Sequence, residues 1–256
     1  KEFLQSYLDY KPKGSNLPLL PFERNSFKKY FVKSGIYSEK IANHYIIANL
    51  SKGGVIKLFQ ANNDQLILND CGLISKLSNG QVATSQWVGD NYKKKIDADG
   101  WEVSGKMKII PTNKYFTPFK TIIFRIILLT LGWNTTLCHT IKGTIRKLLM
   151  LNAKDAPIHF SRHFKIDKTK IVLTDQVQLT GNILCSKLSV GDEFFVRYVP
   201  QSRYFQSQEL QIEGITLPEK QLANLNQGKK IIIKREVSLN EITPLKIKFK
   251  SVMEIK

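Results

Sequence analysis

Cysteine is scarce in this chain. Its 256 residues include only Cys71, Cys138 and Cys185, too few, too scattered and odd in number for a disulfide framework or a cysteine-based metal site. Packed thiols are the expectation, and they fit the cytoplasm or another reducing compartment; the localisation is otherwise unknown. Long apolar runs are lacking too. The longest, Thr121 to Trp133, is broken by Arg125 and falls short of the ~20 residues a bilayer span needs. No transmembrane helix is expected, and no charged segment followed by an apolar one and a small-residue cleavage site marks a signal peptide. Lys1 stands where a Met would open a natural chain, so further sequence is expected upstream.

Recognisable reaction chemistry is also missing. There is no Gly-x-Ser-x-Gly elbow, no Gly-x-x-x-x-Gly-Lys phosphate loop and no Cys/His pairing with a local signature. Lys52-Gly53-Gly54 is long enough only for a turn. Of the four histidines, His159 and His163 lie four apart in a strand-like segment. That places them on one face about 13 Å apart, too far to share one metal ion. His44 opens a strand and His139 lies on a polar helix side. No metal, cofactor or catalytic residue is assigned.

Acidic residues are outnumbered. Lys and Arg total 39 against 21 Asp and Glu, a formal charge of +18, while 42% of the chain is hydrophobic. Such a chain can build a core, and its charge favours anionic partners. Basic clusters recur: Lys93, Lys94 and Lys95 follow Tyr92; Lys229 and Lys230 with Lys234 and Arg235 flank Ile231 to Ile233; and Lys246, Lys248 and Lys250 alternate along one strand. A ladder of ammonium groups can follow a repeating polyanion, and as exposed charge it also protects a sheet edge. Asp90, Asp97 and Asp99 lie among Trp87, Tyr92 and Trp101, a mixture of carboxylates and aromatic rings that could hold a sugar. Nucleic acid is disfavoured, because no recognition helix, zinc finger or RNA-binding aromatic signature accompanies the charge.

The periodicity is that of strands. Residues 1–27 read as a helix end and a linker. From residue 28 to 256, short β-rich runs at Tyr30–Val32, His44–Leu50, Val55–Gln60, Gln65–Leu68, Trp101–Ile110, Ile158–Ile166, Lys170–Leu179, Glu193–Val199, Glu209–Glu213, Lys229–Val237 and Leu245–Ile255 are separated by turns. Asn79-Gly80 is the strongest hairpin signal among them. With no βαβ alternation, this pattern predicts an all-β fold, an antiparallel β-sandwich. The exception is an inserted helical hairpin at about 117–152, divided at Gly132-Trp133-Asn134. Its first helix has only a narrow polar stripe and should be mostly buried, most simply by covering a sheet face or edge, or else in a partner or a membrane interface. Its second helix sets Leu137, Ile141 and Ile145 opposite Lys142, Arg146 and Lys147, a cationic face suited to an anionic membrane surface or a partner.

The stretch Asn69-Asp-Cys-Gly-Leu-Ile-Ser-Lys-Leu-Ser-Asn-Gly-Gln-Val-Ala-Thr-Ser-Gln-Trp87, with Thr117-Pro-Phe-Lys-Thr-Ile-Ile-Phe-Arg125 and Ile145-Arg-Lys-Leu-Leu149, resembles the β domain of heparinase II/III-like proteins over roughly residues 28–180. The resemblance implies a helical toroid preceding this chain and an acidic polysaccharide as partner. It further implies uronate lyase chemistry, in which a toroid tyrosine and a β-domain histidine drive β-elimination. The family's histidine element would fall near Lys52-Gly-Gly-Val-Ile-Lys57, where no histidine stands. The expectation is therefore an accessory, non-catalytic polysaccharide-binding domain, with a uronate lyase or a membrane-surface docking protein as the alternatives.

Overall fold

The computed structural model describes residues 19–61, 65–87, 92–110, 118–131, 134–146, 153–167, 169–190, 215–238 and 246–252. Within them the fold is all-β and every strand pairing is antiparallel. The expected helix at residues 1–10, the strands at 193–199 and 209–213, and Asp90 and Lys147 lie outside the described residues.

A five-stranded meander comes first, in the order β1 (Phe27–Phe31), β2 (Ile36–Ile41), β3 (His44–Asn49), β4 (Val55–Gln60) and β5 (Gln65–Asp70). The chain then crosses into a ten-stranded sheet. There β13 (Ile215–Thr216), β12 (Cys185–Val190), β6 (Leu73–Leu77), β7 (Val82–Thr84), β9 (Gly100–Ile109), β10 (Asp155–Ile166), β11 (Lys170–Leu179), β14 (Lys230–Ser238) and β15 (Lys246–Val252) follow one another, and β8 (Lys93–Asp97) also pairs with β9. A short helix, α3 (Glu219–Asn226), lies between β13 and β14 and buries Leu225.

Period-2 alternation explains the core. In β10, Ile158, Phe160 and Phe164 point inward while His159, Ser161, His163 and Lys165 point outward. Ile171, Leu173 and Val177 do the same in β11, and Ile231, Ile233 and Val237 in β14. They meet Tyr37, Ile46, Leu50, Ile56 and Leu58 of the smaller sheet in one buried cluster. Each large apolar side chain enclosed there contributes about 1.5–3 kcal/mol.

The Asn79-Gly80 signal does mark a hairpin, between β6 and β7. Its form is a three-residue loop, with Leu77 N–H donating to the Gln81 carbonyl at 2.8 Å and Gly80 alone in the left-handed region at φ 79°. That is a type I turn closed by a left-handed glycine rather than a two-residue turn.

The insert forms α1 (Pro118–Leu131) and α2 (Thr135–Arg146), but the expectation that the first helix covers a sheet is overturned. Phe119, Ile122, Ile123, Ile126 and Leu129 are all exposed, Phe119 by 70% and Leu129 by 71%. The sheets have already filled each other's inner faces. The outer face of the large sheet is mostly polar, with lysine, histidine, threonine and glutamine between a few apolar residues such as Val172 and Ile232.

Candidate functional site

Two assemblies of polar side chains stand out, one sealed inside the protein and one spread over its surface. The buried one joins the two sheets. Arg162 of β10 places Nη1 2.7 Å from Asp70 Oδ1 and Nε 2.6 Å from Asp175 Oδ1. Arg235 of β14 pairs through Nη1 with Asp70 and through Nη2 with Asp175, the latter at 2.5 Å. All four side chains are within 1% of complete burial. Two cations and two anions cancel, and the forked guanidinium geometry suits two carboxylates at once. Gly72 N–H donates to Asp70 at 2.7 Å, and Arg162 donates to the Gly54 carbonyl at 3.1 Å.

Burial alone would raise the Asp70 carboxyl. Arg162 and Arg235 beside it, with the Gly72 amide, outweigh that penalty and hold it below the usual carboxylate range. Burial likewise works against the Arg162 charge, but Asp175 and Asp70 keep that guanidinium firmly protonated. The quartet is closed to solvent and fully counter-charged, so its work is to lock the β3–β4 turn and the end of β5 onto the large sheet. Gly54 makes the contact possible: at φ 75°, a Cβ there would stand 2.7 Å from the Trp101 ring.

The exposed assembly is the outer face of the large sheet, where register aligns residue positions in rows across the strands. One row runs Lys95, Glu102, His163, Thr174, Lys234 and Lys248 over β8, β9, β10, β11, β14 and β15. A neighbouring row runs Lys93, Ser104, Ser161, Gln176, Ile232 and Lys250. A third contains Lys165, Val172, Glu236 and Lys246. At about 4.8 Å per strand, a six-strand row extends roughly 24 Å.

Two open troughs lie on this face. The larger, about 570 Å³, is lined by His163, Lys165, Lys170, Thr174 and Lys234 together with Asp99 and Asp167. The smaller, about 250 Å³, lies around His159, Lys93, Lys106 and Ser104. Partial burial lowers the His159 pKa from its ordinary value, and the positive charges of Lys230, Lys106 and Lys93 lower it further. This imidazole therefore registers the positive potential of the face. Three of the acids on this face are engaged: Lys234 pairs with Glu236 at 2.6 Å, Lys95 with Asp97 at 3.1 Å, and Ser161 donates to Glu102 at 2.8 Å.

The basic residues expected from sequence are thus partly united and partly separated. Lys95 shares a row of the register with Lys248 and Lys93 one with Lys250, whereas Lys246 falls in the row of Lys165 and Glu236. Lys94 does not share this face, because alternation along β8 turns it to the other side, where Nζ donates to Ser51 Oγ at 2.8 Å. Lys142 and Arg146 belong to α2, apart from this grid in the chain. The aromatic platform needs correction as well. Trp101 is fully buried and stacks on Phe164 at 5.3 Å. Tyr92 is buried edge-on to Phe160, and its hydroxyl donates to the Ser85 carbonyl at 3.1 Å. Neither ring is free to stack on a sugar, since both fill the space beneath β9; Trp87 remains half-buried.

Among the described residues no group of three His, Cys, Asp or Glu side chains could hold a metal ion. Cys71 and Cys185 are both buried and neither is joined in a disulfide. Comparison with protein-family models, with curated proteins and with solved structures finds no match to this chain.

Proposed function

We propose that this chain is an accessory, non-catalytic β domain of the heparinase II/III-like kind, binding acidic polysaccharide along the outer face of its large sheet. The observation that carries this reading is the set of lysines at both ends of the register rows, with the His163 and His159 troughs between them. An extended polyanion laid across the strands meets a new side chain at every strand. Thr174, Gln176 and Ser104 supply neutral hydrogen-bonding groups for sugar hydroxyls. The resemblance noted above implies a uronate-bearing acidic polysaccharide as the repeating anion.

Binding without turnover is the form we favour. β-Elimination needs a base, a cation facing the uronate carboxylate and an acid for the leaving oxygen. The larger trough combines His163 with Lys165, Lys170 and Lys234 but is lined by no tyrosine. Tyr92, the nearby phenol at the smaller trough, is pushed upward by burial and then by the Asp155 charge, which keeps its proton in place.

Titration with an acidic and a neutral polysaccharide at two salt concentrations tests the reading. The acidic polymer should bind, with affinity dropping steeply as salt rises, and the neutral one should not. Equal, salt-independent binding of both would overturn it. Incubation with a uronate polymer should produce no near-ultraviolet absorbance; a steady rise would make the His163 trough a lyase site.

A further inference from the structure

The hairpin between β9 and β10 is not absorbed by the polysaccharide reading. Its first helix exposes Phe119, Ile122, Ile123, Ile126 and Leu129, at the i, i+3, i+4, i+7 and i+10 spacing of a single helical stripe. Arg125 is exposed beside that stripe. A continuous apolar surface of this kind on a folded chain marks an interaction site.

The charge around it indicates what the stripe meets. Between Glu102 and Asp155 the sequence contains no acidic residue, while Lys114, Lys120, Arg125, Lys142, Arg146 and Lys147 all fall within or beside the hairpin. An apolar stripe embedded in an acid-free, basic segment is complementary to a surface that is apolar within and anionic at its boundary. That is an anionic lipid leaflet.

Length sets the mode of contact. The 14 residues of α1 extend about 21 Å at ~1.5 Å per residue, short of the ~30 Å hydrocarbon core, and no helix among the described residues is long and apolar enough to cross a membrane. Long cationic side chains such as Arg125 can keep their heads at the phosphate level while their stems cover the apolar boundary. Trp133, in the sequence between the two helices, is a residue type favoured at that depth.

We propose that α1 lies in the interfacial plane of an anionic bilayer, held by its apolar stripe and by the basic residues around it. Sedimentation with phosphatidylcholine vesicles, with and without phosphatidylglycerol, tests this. The protein should pellet with the anionic vesicles and remain in solution with the neutral ones. Brominated lipid should quench Trp133 emission, an effect that a Trp133→Phe variant should lose while Trp87 and the core Trp101 supply the remaining background.

The variant Ile123→Asp with Leu129→Asp changes only exposed side chains, so it should keep the β-sheet circular dichroism and lose vesicle binding at least tenfold. Lys142→Glu with Arg146→Glu should weaken binding and remove its preference for anionic lipid. The proposal is overturned if neither vesicle is bound, if both are bound equally, or if the aspartate variant still binds. It is also overturned if the wild type self-associates through the stripe and vesicles do not compete, which would make a second copy the occupant.

Discussion

His159 is the residue whose behaviour reads the charge of the sheet face most directly. Partial burial and the cations of Lys230, Lys106 and Lys93 all favour its neutral form. Its NMR titration midpoint should therefore lie below the ordinary histidine value and move up toward it as salt screens the lysines. Saturation with an acidic polysaccharide should move it up further, because the ligand's anions favour the imidazolium. An unchanged midpoint at saturation would place the ligand elsewhere. Lys94 marks the opposite case: a lysine from the same cluster that bonds Ser51 on the other side of β8 cannot serve this face.

Strands turn single charges into a surface. In β10 and β14 the outward residues Lys165 and Lys234 stand on two sides of the larger trough, separated by β11. Converting both to glutamate should reduce acidic-polysaccharide binding by tenfold or more and leave the urea midpoint within the small range of surface changes. Lys94→Glu, on the same strand as Lys93 but facing Ser51, should affect binding much less. Equal losses from the two changes would point to net charge rather than to this face. The hairpin illustrates the limit of element-level reading: helical spacing located both helices, yet whether the apolar stripe of α1 is covered depends on surfaces contributed from elsewhere in the chain.

At the scale of the whole molecule, the Asp70–Arg162–Asp175–Arg235 quartet joins the sheets and gives the fold its clearest energetic signature. Arg162→Met leaves Asp70 and Asp175 sharing a single cation in a sealed interior, which should cost about 3–5 kcal/mol of stability, measured by urea denaturation. A loss under 1 kcal/mol would contradict the closed network. The pH dependence follows from Asp70. Its folded-state carboxyl lies below the unfolded value, so this contribution is fully present above the unfolded carboxylate range and is lost as pH falls through the depressed folded value. The wild type should accordingly keep this part of its stability at neutral pH and lose it progressively as pH falls below the unfolded carboxylate value. Arg162→Met should show a weaker acid dependence over that lower range.

The all-β class, the positions of most long strands, the β6–β7 hairpin, the helical insert and the excess of positive charge were all legible in the sequence, because each rests on local periodicity, turn chemistry or a simple count. The quartet left a trace too: Arg162, Asp175 and Arg235 each occupy a position where the inward alternation of Ile, Leu, Val and Phe calls for an apolar side chain. That pattern could have flagged three buried charges but not their pairing. Which lysines share a face, why Tyr92 and Trp101 turn into the core, and which carboxylate meets which guanidinium were decided only by the tertiary structure. These depend on cross-strand register, where a shift of one residue sends every side chain to the opposite face, and on contacts such as Arg162 to Asp70 that close across 92 residues of chain.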